Sequence, residues 1–109
     1  MLRIYPVVLD WIEELNPLIA QVARHDRDLA RQLRRASTSV ALNLGEGMLA
    51  RGGHRTNAYS TALREMRESY AALEIAQRVR YIKRIEPAFD DRCRKILSTL
   101  VRLVFPRRE

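Results

Sequence analysis

Apolar residues recur at helical spacing in four stretches of this 109-residue chain, and over no useful length do they alternate at period two. The first stretch runs from about Tyr5 to Arg24, with Val8, Ile12, Leu15, Ile19 and Val22 along one face. Pro6 suits a first helical turn, where its missing N–H costs nothing, whereas Pro17 in mid-stretch predicts a kink rather than a full break. The second stretch, Leu29 to Glu46, aligns Leu29, Leu33, Ala36, Val40 and Leu44, with Asp26 or Asp28 as its N-cap. The third, Thr56 to Val79, aligns Tyr59, Ala62, Leu63, Met66, Tyr70 and Leu73 and sets Arg64 one turn before Glu68 as an ion pair. The fourth, Pro87 to Val104, opens on proline and places Asp90 and Asp91 near the positive end of its dipole. Its stripe is Phe89, Cys93, Ile96, Leu100 and Leu103 or Val104. Gly47 to Gly53, the only glycine-rich segment, reads as the loop between the second and third stretches.

Four amphipathic helices on short connections make an all-α, antiparallel up-and-down four-helix bundle, one domain over residues 1–109. Four glycines and four prolines leave little room for the tight turns of a β-sandwich or small barrel. No apolar run approaches the ~18 residues of a membrane-spanning helix. The opening Met-Leu-Arg-Ile-Tyr-Pro lacks a secretory pattern, and the lone Cys93 excludes an internal disulfide framework. The expectation is a soluble cytoplasmic protein with no membrane partner.

Catalytic chemistry finds no foothold. His25 and His54 fall in predicted breaks, and neither follows a glutamate by three residues, the spacing of di-metal bundles. Cys93 lies on an apolar stripe, where a buried, inert thiol is the ordinary outcome. No serine occupies a strand-to-helix elbow, and the glycine-rich segment lacks both a G-K-[ST] ending and a preceding strand. The chain is therefore expected to be non-enzymatic, with no metal and no cofactor.

Charge says more. Twenty basic residues against 13 acidic ones give +7 at pH 7, and all the basic residues but Lys83 and Lys95 are arginine. Such a balance suits polyanions, and arginine makes bidentate contacts to phosphate and stacks on bases. Arg78, Arg80, Lys83 and Arg84 cluster around Tyr81 without an intervening carboxylate. Arg31, Arg34 and Arg35 lie on the second helix away from its stripe, and Arg51 and Arg55 flank the glycine pair. These residues form a candidate surface for RNA or DNA. The plainer reading is a solvated face or charge pairing between subunits. The rival function is an assembly or adaptor protein whose basic surface docks an acidic partner.

The second helix carries two further features. Gln32, Ser39 and Asn43 form a polar row beside the apolar stripe, with Glu46 near its end. Burying such a row demands partners, so hydrogen bonds to another helix are expected, with a ligand-facing groove as the alternative. Leu42 projects on the far side among Arg31, Arg35 and Thr38, which suggests a second buried surface against another subunit.

The run Gln32-Leu33-Arg34-Arg35-Ala36, continued by Ser39-Val40, Asn43-Leu44 and Glu46-Gly47, resembles a known pattern. It is similar to the Q-L-R-R-A-x-x-S-[IV]-x-x-N-[IL]-A-E-G helix of the bacterial four-helix-bundle family of 23S rRNA intervening-sequence proteins. Ser69, Leu73 and Glu74 fit that family's third-helix pattern. Gly45 stands where the family usually has alanine, and Glu68 and Ala72 where glycine and glutamate are common. The likeness covers Leu29 to Ile82 directly and the flanking helices by length and pattern. It implies a bundle that assembles into a ring, often a homopentamer, and a link to nucleic acid, because some genes of the family lie within insertions in 23S rRNA genes. A related branch, the accessory variability determinants of diversity-generating retroelements, partners a reverse transcriptase. The resemblance supplies no catalytic residue.

Overall fold

The computed structural model describes residues 2–106, and all the regular elements among them are helices: α1 (Ile4–Ala23), α2 (Arg27–Leu49), α3 (Gly52–Arg78) and α4 (Pro87–Val104). α1 buries Ile4, Val8, Trp11, Leu15, Ile19 and Val22. Trp11 takes the central position that the apolar stripe assigned to Ile12, which is half-buried. Both fit the spacing between Val8 and Leu15, and the larger apolar surface goes inside. α1 runs unbroken through Pro17. Pro17 and Glu13 are exposed, so the carbonyl that the proline leaves unbonded lies on a wet face.

Asp26 has extended backbone geometry and its side chain accepts the Leu29 N–H at 2.9 Å, which starts α2 at Arg27 rather than Leu29. The expected loop from Gly47 to Gly53 shrinks to Ala50 and Arg51. Gly47 is not a turn residue at all. It is buried within α2, and a β-carbon there would lie 2.7 Å from Cδ1 of Tyr59, so its missing side chain lets an α3 aromatic rest on the α2 backbone. α3 begins at Gly52, which holds a φ of +55° that glycine adopts without strain. His54 consequently sits in the first turn of α3, not in a break. Arg55 closes the corner, its Nε donating to the carbonyls of Gly47 at 3.2 Å and Ala50 at 3.0 Å at the end of α2. α4 has the expected bounds.

α2 and α3 share the most extensive interface, and the α1–α4 contact is much slighter. The predicted Arg64–Glu68 pair does not form. Glu68 instead takes Arg35 of α2 at 2.6 Å, and Arg35 also reaches the nearly buried Glu65 at 3.4 Å. One guanidinium bridging two carboxylates across a helix interface outcompetes an exposed pair along one helix. On the α3–α4 side the Tyr70 hydroxyl donates to Asp90 at 2.5 Å, and Arg94 Nε donates to the same carboxylate at 2.8 Å. These two bonds, the tyrosine's first, hold the Asp90 carboxyl below its usual range. Arg92 pairs with Glu14, tying α4 to α1. Cys93 is buried, and burial pushes its thiol up to about 11.

Candidate nucleic-acid interface

The up-and-down topology brings the α1–α2 turn and the α3–α4 connector to one end of the bundle, and the α2–α3 turn to the other. At the first end α3 closes with a Schellman motif. The Arg80 N–H donates to Gln77 O at 3.1 Å and the Tyr81 N–H to Ala76 O at 2.8 Å. That geometry puts Arg80 at a φ of +66°, a position where glycine is the unstrained choice. Ile82 is buried, and the Ile85 N–H donates to the Gln77 side-chain oxygen at 3.0 Å, so the connector is pinned on both sides of Lys83 and Arg84. Tyr81 lies parallel to His25 of the α1–α2 turn, with ring centroids 5.1 Å apart and planes within 4°.

Three hollows adjoin there, and all of them use α1. One of about 470 Å³ is lined by Pro17, Ala20, Gln21, Arg24, His25 and Tyr81. A second, about 610 Å³, shares Pro17 and Gln21 and adds Lys83, Arg84 and the start of α4. A third, about 440 Å³, shares Ala20 and adds Arg27, Arg31 and Arg34 of α2. The carboxy-terminal half of α1 is thus common to the three hollows of a basic track, and Arg78 and Arg80 lie at the same end of the bundle, at the close of α3. Arg31 pairs loosely with Asp28 at 3.7 Å, both groups largely exposed, and Arg34 reaches the Asn16 side-chain oxygen at 3.4 Å. Among the described residues Arg24, Arg27, Arg78, Arg80, Lys83 and Arg84 form no ion pair. Two carboxylates line the second hollow: Glu14, which is taken by Arg92, and the exposed Glu86, which forms no ion pair among the described residues and offsets part of the charge of Lys83 and Arg84. Stability does not explain Arg27, because a cation in the first turn opposes the helix dipole. Arg78, in the last turn of α3, complements it.

The sequence grouping is therefore redrawn. Arg31 and Arg34 join Arg78, Arg80, Lys83 and Arg84 at one end, with Tyr81 among them. Arg35 is occupied by Glu65 and Glu68, while Arg51 and Arg55 sit at the opposite end, where Arg55 caps α2. Arg24, Arg27, His25 and Gln21 were missed. Their signal was available in the topology, which makes the first turn and the last connector neighbours.

The polar row resolves differently from the expectation. Asn43 Nδ2 donates to the Ser39 carbonyl at 2.9 Å and the Ser39 hydroxyl at 3.0 Å, one turn back on the same helix, so no bond crosses to another. Gln32 and Glu46 are exposed. Asn43 and Glu46 border a hollow of about 430 Å³ shared with His54, Asn57 and Thr61 of α3. Ser69 is buried and its hydroxyl donates to Glu65 O at 2.9 Å, whereas Glu74 is exposed. Among the described residues no group of three or more His, Cys, Asp or Glu is placed to hold a metal ion, and no helix is long and apolar enough to cross a membrane.

A family model for 23S rRNA-intervening sequence proteins matches residues 3–102. The chain belongs to that family. A crystal structure of a protein with unknown function from the S23 ribosomal protein family of Bacteroides thetaiotaomicron VPI-5482 has the same fold. It matches with a TM-score of 0.82 at 21% identity, over 94% of this chain and 98% of that one. No curated protein matches the sequence. Within this member of the 23S rRNA-intervening sequence family, most of the second-helix pattern serves the core or the side facing α3. Leu33, Ala36, Val40, Leu44 and Gly47 are buried, and Arg34 alone among the pattern residues lines the basic track. The track is built mainly from residues outside that pattern.

Proposed function

We propose that this protein is a non-enzymatic, cytoplasmic binder of RNA or DNA that holds the phosphate backbone along the basic track around the end of α1. The observation that carries the reading is the set of unpaired cations on three adjoining hollows, on elements whose backbone is pinned by caps and by Gln77. Unpaired arginines cost little in water and gain strongly by releasing condensed counterions from a polyanion. Arginine in place of lysine adds planar, two-pronged contact to phosphate. Exposed Leu42 (67%) and Leu49 (90%), both on α2 away from this track, support a further reading in which copies of the chain assemble through that face. An accessory role beside a nucleic-acid enzyme extends this reading.

The test is a titration of labelled single- and double-stranded oligonucleotides at several salt concentrations. Arg80, Lys83 and Arg84 changed together to Gln should weaken binding to all sequences and flatten the salt slope by ~0.7 for each phosphate of a single strand no longer neutralised. Arg35→Gln, off the track, should leave affinity unchanged once circular dichroism confirms folding. No binding by the parent at ~50 mM salt would remove this reading, and the acidic protein partner would take its place.

A further inference from the structure

We infer that the ligand on this track is a single strand, one of whose unpaired bases stacks on the free face of His25. The inference rests on the backbone-binding reading above and adds a base site to it. His25 is an exposed residue whose imidazole lies flat on Tyr81, centroids 5.1 Å apart and planes within 4°. Tyr81 is half-buried and packs against the core, so the pair is a ring on a fixed backing with its outer face in solvent. Nothing in the fold requires this arrangement: the imidazole makes no hydrogen bond among the described residues, and the turn is already capped by Asp26. The backing is held in place by Tyr81 N–H donating to Ala76 and by buried Ile82 next to it. A ring held so loses little freedom when a second flat group settles on it.

The surroundings select the flat group. Arg24, Gln21, Pro17 and Ala20 line a hollow together with His25 and Tyr81. Its volume of about 470 Å³ falls within the range of small-ligand pockets. Cations continue along the track on both sides, Lys83 and Arg84 one way and Arg27, Arg31 and Arg34 the other. A flat group that carries an anion on each side to meet these cations is a nucleotide within a strand. A duplex keeps its bases stacked on one another and, except at its two ends, offers His25 no open face, so the arrangement favours unpaired bases over paired ones.

Fluorescence anisotropy would decide, using a short single strand, its blunt duplex and an abasic strand of the same length, each at several salt concentrations. The parent should bind the single strand at least ~10-fold more tightly than the duplex or the abasic strand. His25→Ala should cut single-strand affinity by about 5- to 150-fold, abolish the preference and leave the salt slope unchanged, because removing a stack releases no counterions. His25→Phe should retain the preference. RNA and DNA versions of the strand report whether the 2′-hydroxyl contributes. Equal binding of all three ligands, or an unchanged His25→Ala variant, would overturn the base site while leaving the backbone reading in place. Failure of the parent to bind any of them would overturn both.

Discussion

Arg80→Gly separates what the fold wants at the end of α3 from what the surface uses there. At a φ of +66° an L-residue pays about 1–2 kcal/mol for the left-handed backbone, a strain that glycine does not feel. Glycine gives up about 0.4–1 kcal/mol of that advantage through its greater freedom in the unfolded chain. The balance is a stabilisation of roughly 0.5–1 kcal/mol, provided the arginine side chain contributes no structural contact, and it forms neither an ion pair nor a side-chain hydrogen bond among the described residues. In a domain of this size that corresponds to a rise in Tm of roughly 2–8 °C. The same change removes one cation from the track, so single-strand affinity should fall and the salt slope flatten by ~0.7. Thermal unfolding followed by circular dichroism, paired with the oligonucleotide titration, reads both effects on one sample. A lowered Tm would refute the strain argument. A raised Tm with unchanged affinity and slope would take Arg80 out of the binding surface.

Two glycines of α2, Gly45 and Gly47, should respond in opposite directions. Gly45→Ala places a β-carbon 3.9 Å from Tyr5, ordinary contact, and should stabilise by about 0.5–1 kcal/mol in urea unfolding. Gly47→Ala meets the Tyr59 ring and should destabilise by about 1–3 kcal/mol. Tyr70→Phe should cost about 0.5–1.5 kcal/mol at neutral pH. Because Asp90 titrates low when folded, that contribution is present above the unfolded carboxylate range and is lost as pH falls through the folded value, so parent and variant should begin to approach each other near pH ~4 and converge only at lower pH. Light scattering coupled to size exclusion should give a mass of about five copies, reduced by Leu42→Glu; a parent running only as a monomer would refute assembly through α2.

The helices were legible because their apolar spacing is regular, and Asp26 and Pro87 mark the starts of α2 and α4. α4 was read to the residue, since Pro87 opens it and its stripe has no competitor. The α2–α3 corner was not, because glycine has two uses that look alike in one dimension. Gly52 turns the chain, whereas Gly47 thins a helix so that another can approach, and only the position of Tyr59 separates the two. Asn43 misled for a related reason. A polar side chain beside a core stripe can be satisfied by its own helix, one turn back, as Asn43 is by Ser39. The basic surface was half legible. Charge clusters along the chain found Arg78 to Arg84, but Arg24 and Arg27 join them only through the folding of the turn, and Arg35 leaves them because Glu65 and Glu68 lie across its interface.

The slight contact between α1 and α4 has a consequence for how the bundle breathes. Elements that pack lightly open at lower free energy than the rest, so amide exchange in α1 and α4 should run ahead of exchange in the α2–α3 hairpin. The hollow lined by Glu14, Pro17, Leu18, Gln21 and the segment from Lys83 to Phe89 straddles this seam, with α1 on one wall and the connector and α4 on the other. A strand lying along it would bridge the two walls and be released whenever α1 lifts away. Occupancy would therefore slow exchange in α1 by the factor 1 + [L]/Kd, while the slowest amides, if they already require α1 to part from α4, would slow by the same factor. A lightly packed joint of the bundle is thus one that a bound polymer would brace.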